Sequence, residues 1–179
     1  SSFTRQVLYL RPDTFVIFDR VESMRPDFQK RWLLQAMATP VSDDGRLVVT
    51  HGAGRLFVQT LLPRAHDVAL RDGADLYRYG GEEYPPSRDT GPAPSCRVEV
   101  SPQVPATVDY FLHVLTAADA DTGSVPTASV AEEGVRIVVS VGDITARFAR
   151  DSVGGALHLD DSAHTLTQGV RTASDFSDR

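Results

Sequence analysis

The chain has 179 residues, 41% hydrophobic and 23% charged, an ordinary globular mix in a length that suits one domain with a sizeable core. A formal net charge of -6 argues against a nucleic-acid partner or an anionic membrane surface, either of which wants a net basic face. It leaves room for an acidic polysaccharide, because a few well-placed arginines suffice locally. The single cysteine, Cys96, excludes an internal disulfide and a Cys-based zinc cage. No apolar run approaches the roughly 20 residues of a membrane-spanning helix. No signal peptide is legible either. The first residue is Ser1 rather than Met, and Phe3 to Leu10 already reads as a strand. A start inside an element leads us to expect a fragment of a longer protein.

Hydrophobicity repeats with period two rather than 3.6 along most of the chain. The segments that carry it are Gln6 to Leu10, Thr14 to Val21, Gln29 to Ala38, Leu47 to His51 and Arg55 to Leu62. After Gly80 to Ser95, a long irregular loop with four prolines and three glycines, follow Arg97 to Val100 and Thr107 to Leu115. In the latter, Val108, Tyr110, Leu112 and Val114 take one face, with Asp109 and His113 on the other. A shorter loop, Ala117 to Pro126, precedes Val135 to Val141 and Ile144 to Phe148, which a Gly142-Asp143 turn joins as a hairpin. Ala156 to Asp160 is the last such segment, and Thr172 to Arg179 is a polar tail. No stretch of about 12 residues has a helical stripe. The prediction is an all-β chain, a two-sheet antiparallel β-sandwich forming one domain over 1–171, with a tail over 172–179.

Five histidines, His51, His66, His113, His158 and His164, show no local ligand spacing, so a metal site would have to assemble across strands. His113 and His158 lie on the polar faces of their strands and read as rim histidines. His51 ends a strand just before Gly52-Ala53-Gly54, where its ring nitrogens are open to approach. Asp19 follows the apolar run Phe15-Val16-Ile17-Phe18, and an acid there must be paired, solvated at the strand end or bound to a metal. The alternatives are thus an ion pair with a neighbouring arginine and a metal site shared with His51. Cys96 has no adjacent base and reads as a packed thiol; no nucleophile elbow, P-loop or Gly-rich nucleotide motif occurs. Around the Pro-rich loop gather Tyr77, Arg78, Tyr79, Tyr84 and Arg88. Such rings and guanidinium groups either grip an acidic saccharide, as a substrate-binding set, or fasten the loop to the sandwich.

Several phrases in order resemble the C-terminal β-sandwich region of heparinase II/III-type polysaccharide lyases. They are Arg5-Gln6-Val7-Leu8-Tyr9-Leu10-Arg11-Pro12, Phe15-Val16-Ile17-Phe18-Asp19-Arg20-Val21 and Lys30-Arg31-Trp32-Leu33-Leu34-Gln35. Gly54 to Pro63, Gly80 to Pro86, Arg97 to Pro102 and Asp109 to Leu115 continue the series. The resemblance implies a supersandwich-like layer that follows an N-terminal helical toroid. Its members cleave uronic-acid-containing glycans by removing the C5 proton and expelling the 4-O-linked sugar, with Tyr and His residues of the toroid as base and acid. By that resemblance no catalytic residue lies in this chain. The toroid, upstream or as a separate chain, and an acidic polysaccharide are the partners, with Trp32 and Leu34 as a possible interface. The parent protein would be secreted or periplasmic.

The resemblance also implies one structural divalent metal, often zinc, with Asp19 and His51 as ligands. Two departures leave that set short: no histidine lies upstream of Arg5, and Gln35 stands where many relatives have histidine. The expected function is therefore the supporting sandwich of a polysaccharide lyase. A free-standing carbohydrate-binding module and a ligand-free structural domain are the alternatives, and alginate, heparan or another uronate polymer remain equally open as substrate.

Overall fold

The computed structural model of the chain describes residues 1–88, 90–159 and 162–166. Apart from one 3₁₀ turn at Gly73–Asp75, every regular element among these residues is a strand, as the period-two pattern predicts. The chain divides into two compact units, 1–125 and 126–179, where the sequence suggests one domain over 1–171. The division falls at the end of the Ala117 to Pro126 loop. The predicted tail, 172–179, lies outside the described residues.

The first unit contains β1 (Ser2–Leu10), β2 (Thr14–Glu22), β3 (Trp32–Ala36), β4 (Val41–Asp43), β5 (Arg46–His51) and β6 (Gly54–Leu62). β7 (His66–Asp72), β8 (Arg78–Tyr79), β9 (Glu82–Glu83), β10 (Cys96–Pro102) and β11 (Val108–Asp119) complete it. A six-stranded sheet has the order β1-β2-β11-β6-β5-β4 and a three-stranded sheet the order β3-β10-β7, every pair antiparallel. β8 and β9 form a small separate hairpin.

The two larger sheets pack face to face. Trp32, Val98 and Val100 from the three-stranded sheet meet Val58, Phe111 and Leu115 from the six-stranded one, with Ile17, Val21, Leu34, Leu47 and Leu56 around them. Each such side chain contributes about 1.5–3 kcal/mol by leaving water. Both faces of β11 are buried, because Leu112 and Val114 on its other side are inaccessible too. Burial on both faces explains why strict alternation fades there.

The second unit contains β12 (Ala128–Glu133), β13 (Arg136–Val141), β14 (Ile144–Ala149), β15 (Gly155–Leu159) and β16 (Ser162–Leu166), paired consecutively as an antiparallel meander. The predicted hairpin is present: Val141 faces Ile144 across Gly142-Asp143, and Gly142 has φ 56°. That positive φ suits a two-residue β connection. Gly155 is constrained more severely, since a Cβ there would lie 1.8 Å from the Arg147 carbonyl oxygen. Backbone cannot yield as a flexible side-chain tip does. Gly155→Ala is expected to destabilise the β14–β15 ladder by at least about 2 kcal/mol, or roughly thirtyfold in amide-exchange protection across Thr145 to Phe148. Unchanged protection there would contradict this.

Candidate functional site

Asp19 is 1% exposed and faces Arg5 across the β1–β2 ladder. Arg5 Nε and Nη2 donate to its two carboxylate oxygens at 2.7 and 2.6 Å. This is the bidentate fork that best satisfies a buried carboxylate, and hydrogen bonding to Asp19 raises the Arg5 pKa further. His51 is exposed at the far end of the β5–β6 hairpin, where Gly54 pairs with both His51 and Asp119. Asp19 pairs instead with Phe111 on β11. The eight residue steps from Phe111 to Asp119 span roughly 26 Å at ~3.3 Å per step. Asp19 and His51 therefore cannot share an ion, which corrects the metal pairing expected from the sequence. Among the described residues, no group of three or more His, Cys, Asp or Glu side chains is placed to hold a metal. The described residues, with Asp19 taken by Arg5 and His51 at the far hairpin end, do not assemble the zinc site that the resemblance implies.

Two further expectations are revised. Trp32 is 4% exposed and belongs to the sandwich core, with Leu34 packed beside it, so neither forms an outward docking face. His113 is fully buried rather than at a rim. Its ring stacks on Trp32 with centroids 3.7 Å apart, and its Nδ1 lies 3.1 Å from Thr60 Oγ1. A bulge at this point of the β11–β6 ladder sets His113 opposite Thr60. Cys96 is likewise buried, and burial pushes its thiol pKa up, as suits a packed and unreactive group.

The five Tyr and Arg residues of the loop do not converge on one point. Tyr77 and Arg88 line a cleft of ≈ 440 Å³ walled by Pro86, Pro92 and Pro94. Arg78 meets Glu83 at 3.6 Å, and the Tyr84 hydroxyl donates to Glu82 Oε2 at 3.0 Å, so these two serve the β8–β9 hairpin. Tyr79 turns elsewhere: the guanidinium of Arg31 lies 5.2 Å from its ring centroid. The expected set is thus divided between a cleft, a hairpin and an aromatic–arginine contact.

That contact leads to a cluster that the sequence reading does not single out, on the face of the three-stranded sheet away from the core. Glu99 is 3% exposed on β10, two residues from Arg97, which is 7% exposed. Arg97 Nε and Nη2 lie 3.0 and 2.7 Å from Glu99 Oε1. Its remaining donors reach the carbonyls of Leu76 and Arg78 at 2.7 and 2.9 Å, fixing the loop across the sheet. Arg71 and Arg31 approach the other oxygen, Oε2, at 3.5 and 3.8 Å. Beside them opens a cleft of ≈ 420 Å³ whose walls include Phe28, Lys30, Arg31, Asp67, Arg71 and Glu99. Lys30 is already engaged, donating to Asp109 Oδ2 at 2.8 Å and to the Ala106 carbonyl. The only advance sign is alternation: Arg97 and Glu99 take one face of a strand whose other face is Cys96, Val98 and Val100.

No family model and no curated protein matches the chain. Among solved structures, it is similar to a heparan sulfate lyase, HepC, from Pedobacter heparinus, a mutant form, with a TM-score of 0.50 and 17% sequence identity. The likeness is one of fold. It covers 90% of this chain but 23% of the lyase chain, so the chain corresponds in fold to about a quarter of that protein.

Proposed function

We propose that the chain is the β-sandwich region of a polysaccharide lyase that acts on uronic-acid-containing glycans by β-elimination, with the eliminating base and acid outside this chain. The observation that carries the reading is the similarity in fold, over 90% of the chain, to part of a heparan sulfate lyase. The ordered phrases between Arg5 and Leu115 that resemble heparinase II/III-type lyases support it independently. The imidazole of His113, buried and stacked on Trp32, is shut off from any glycan and takes no part in the elimination in this reading. In this reading a helical toroid completes the enzyme, and the protein works where its polymer is, outside the cytoplasm. Of the five loop residues, Tyr77 and Arg88 at the Pro-walled cleft are then the ones placed to meet the acidic chain, while Arg78, Tyr79 and Tyr84 are held in contacts of their own.

The test uses the 179-residue chain with heparan sulfate and alginate. Unsaturated-uronate absorbance should stay at background, while electrophoresis through gels containing either polymer should retard the chain more than a neutral-glucan gel does. Turnover by the chain alone, or equal mobility in all gels, would overturn the proposal.

A further inference from the structure

The cleft beside Glu99 has an electrostatic imbalance of its own. Glu99 Oε1 is taken by two donors of Arg97, which leaves Oε2 as the shared anionic neighbour of Arg31 and Arg71. At 3.8 and 3.5 Å those two contacts exceed ordinary charge-assisted hydrogen-bond lengths of about 2.7–2.9 Å. Two guanidinium groups are thereby held near one oxygen that satisfies neither, and they repel each other.

Their side chains are 27% and 44% exposed. Arg31 Nη2 donates to Gln29 Oε1 at 2.5 Å and its guanidinium lies over Tyr79, which leaves Arg31 Nη1, with the donors of Arg71, for a ligand in the cleft. An external carboxylate placed between them would accept from both and relieve the repulsion. The other acids on the cleft wall do not fill that role. Asp109 is engaged by Lys30, Asp27 by Arg25 at 2.5 Å, and Asp67 accepts from Gln103 Nε2 at 2.8 Å.

The remaining walls suit a sugar. Asp67 retains acceptor capacity toward hydroxyl groups, and Phe28, 50% exposed, offers an apolar surface. The volume of ≈ 420 Å³ falls in the range of about 300–1,000 Å³ usual for small-molecule sites. Converging cations, hydroxyl acceptors and an apolar wall together match a polyhydroxylated anion better than a bare one.

We infer that this cleft binds one uronic acid residue, its carboxylate held by Arg31 and Arg71 and its hydroxyls turned toward Asp67. Glu99 is a positioning residue that keeps the two guanidinium groups convergent. The choice of sugar rests on the lyase reading, whereas the anion site rests on Arg31, Arg71 and Glu99 alone.

The test is an NMR titration of the 179-residue chain with sodium glucuronate, glucose and inorganic sulfate, following the arginine Nε–H signals. Glucuronate should shift the Arg31 and Arg71 signals saturably, and glucose should not. Arg71→Gln and Arg31→Gln should each weaken glucuronate about tenfold or more, the scale of one lost charge-assisted hydrogen bond. Arg71→Lys, which keeps the charge without the fork, should lose less, and Arg136→Gln on the second unit should change affinity less than about twofold.

Glucuronate binding unaltered in both glutamine variants would overturn the inference. So would sulfate binding as tightly with the same arginine dependence, since the cleft would then be an anion site without sugar recognition. If glucuronate binds through Arg31 and Arg71 while acidic-polymer gels fail to retard the chain, the cleft stands and the lyase reading falls. If the polymers retard wild type and both variants equally and glucuronate moves neither arginine, the cleft falls and the lyase reading stands.

Discussion

Replacing Glu99 with alanine is expected to cost about 3–5 kcal/mol of stability, the penalty for leaving a buried charge without its partner. Arg97 is 7% exposed and cannot swing into solvent, because Leu76 and Arg78 hold its other donors. It would also face Arg71, its direct cross-strand neighbour, with no anion between them. With a urea slope of about 1–3 kcal/mol/M, the midpoint should fall by roughly 2 M. Trp32 fluorescence is the suitable probe, since this is the only tryptophan and it sits in the core of the first unit. The double variant Arg97→Met with Glu99→Leu should recover part of the loss, because an apolar pair of similar size avoids desolvating two ions while the Leu76 and Arg78 carbonyls lose their donors. A change below about 1 kcal/mol in Glu99→Ala would mean that Arg97 finds water or another anion, and the cluster would lose its structural role.

How far such features were legible in advance differs by residue. The Arg5–Asp19 pair follows from local chemistry: the turn at Arg11-Pro12-Asp13 joins two strands, and Leu10 opposite Thr14 fixes Arg5 opposite Asp19. The ion-pair alternative could therefore be reached from the turn alone. The metal alternative fails on topology, because the distance from Asp19 to His51 depends on β11 lying between β2 and β6. Strand order is non-local and leaves no trace in spacing. His113 was misplaced for a related reason: with Phe111, Leu112, Val114 and Leu115 all buried, β11 has no wet face to reveal. The boundary after Val125 was invisible because the meander β12–β16 repeats the same period-two grammar as the first unit. Arg97 and Glu99 showed their shared face but not their cover. Only the path of Leu76 to Arg78 across the sheet turns a solvated pair into a buried one.

Acid should destabilise the first unit through His113, and Trp32 should report it. Burial lowers the His113 pKa from the ordinary 6.5 to about 3, with the positive charges of His66 and Arg5 acting in the same direction. Below about pH 6.5 the unfolded chain takes up a proton that the folded chain refuses until about pH 3. Between these values the unfolded state binds more protons, so stability falls as pH falls. The contribution is fully present above pH 6.5, is reduced by about 3 kcal/mol at pH 4.5, and is lost by about 5 kcal/mol in all near pH 3. His113→Phe keeps an aromatic ring against Trp32 but cannot titrate. Urea denaturation of wild type and variant from pH 7 to pH 4 separates this residue from the carboxylates, which titrate in both. The stability difference between the two proteins should shift by about 3 kcal/mol toward the variant over that range. Parallel curves would mean that the folded protein admits a charged imidazole, which a ring closed between Trp32 and Thr60 does not allow.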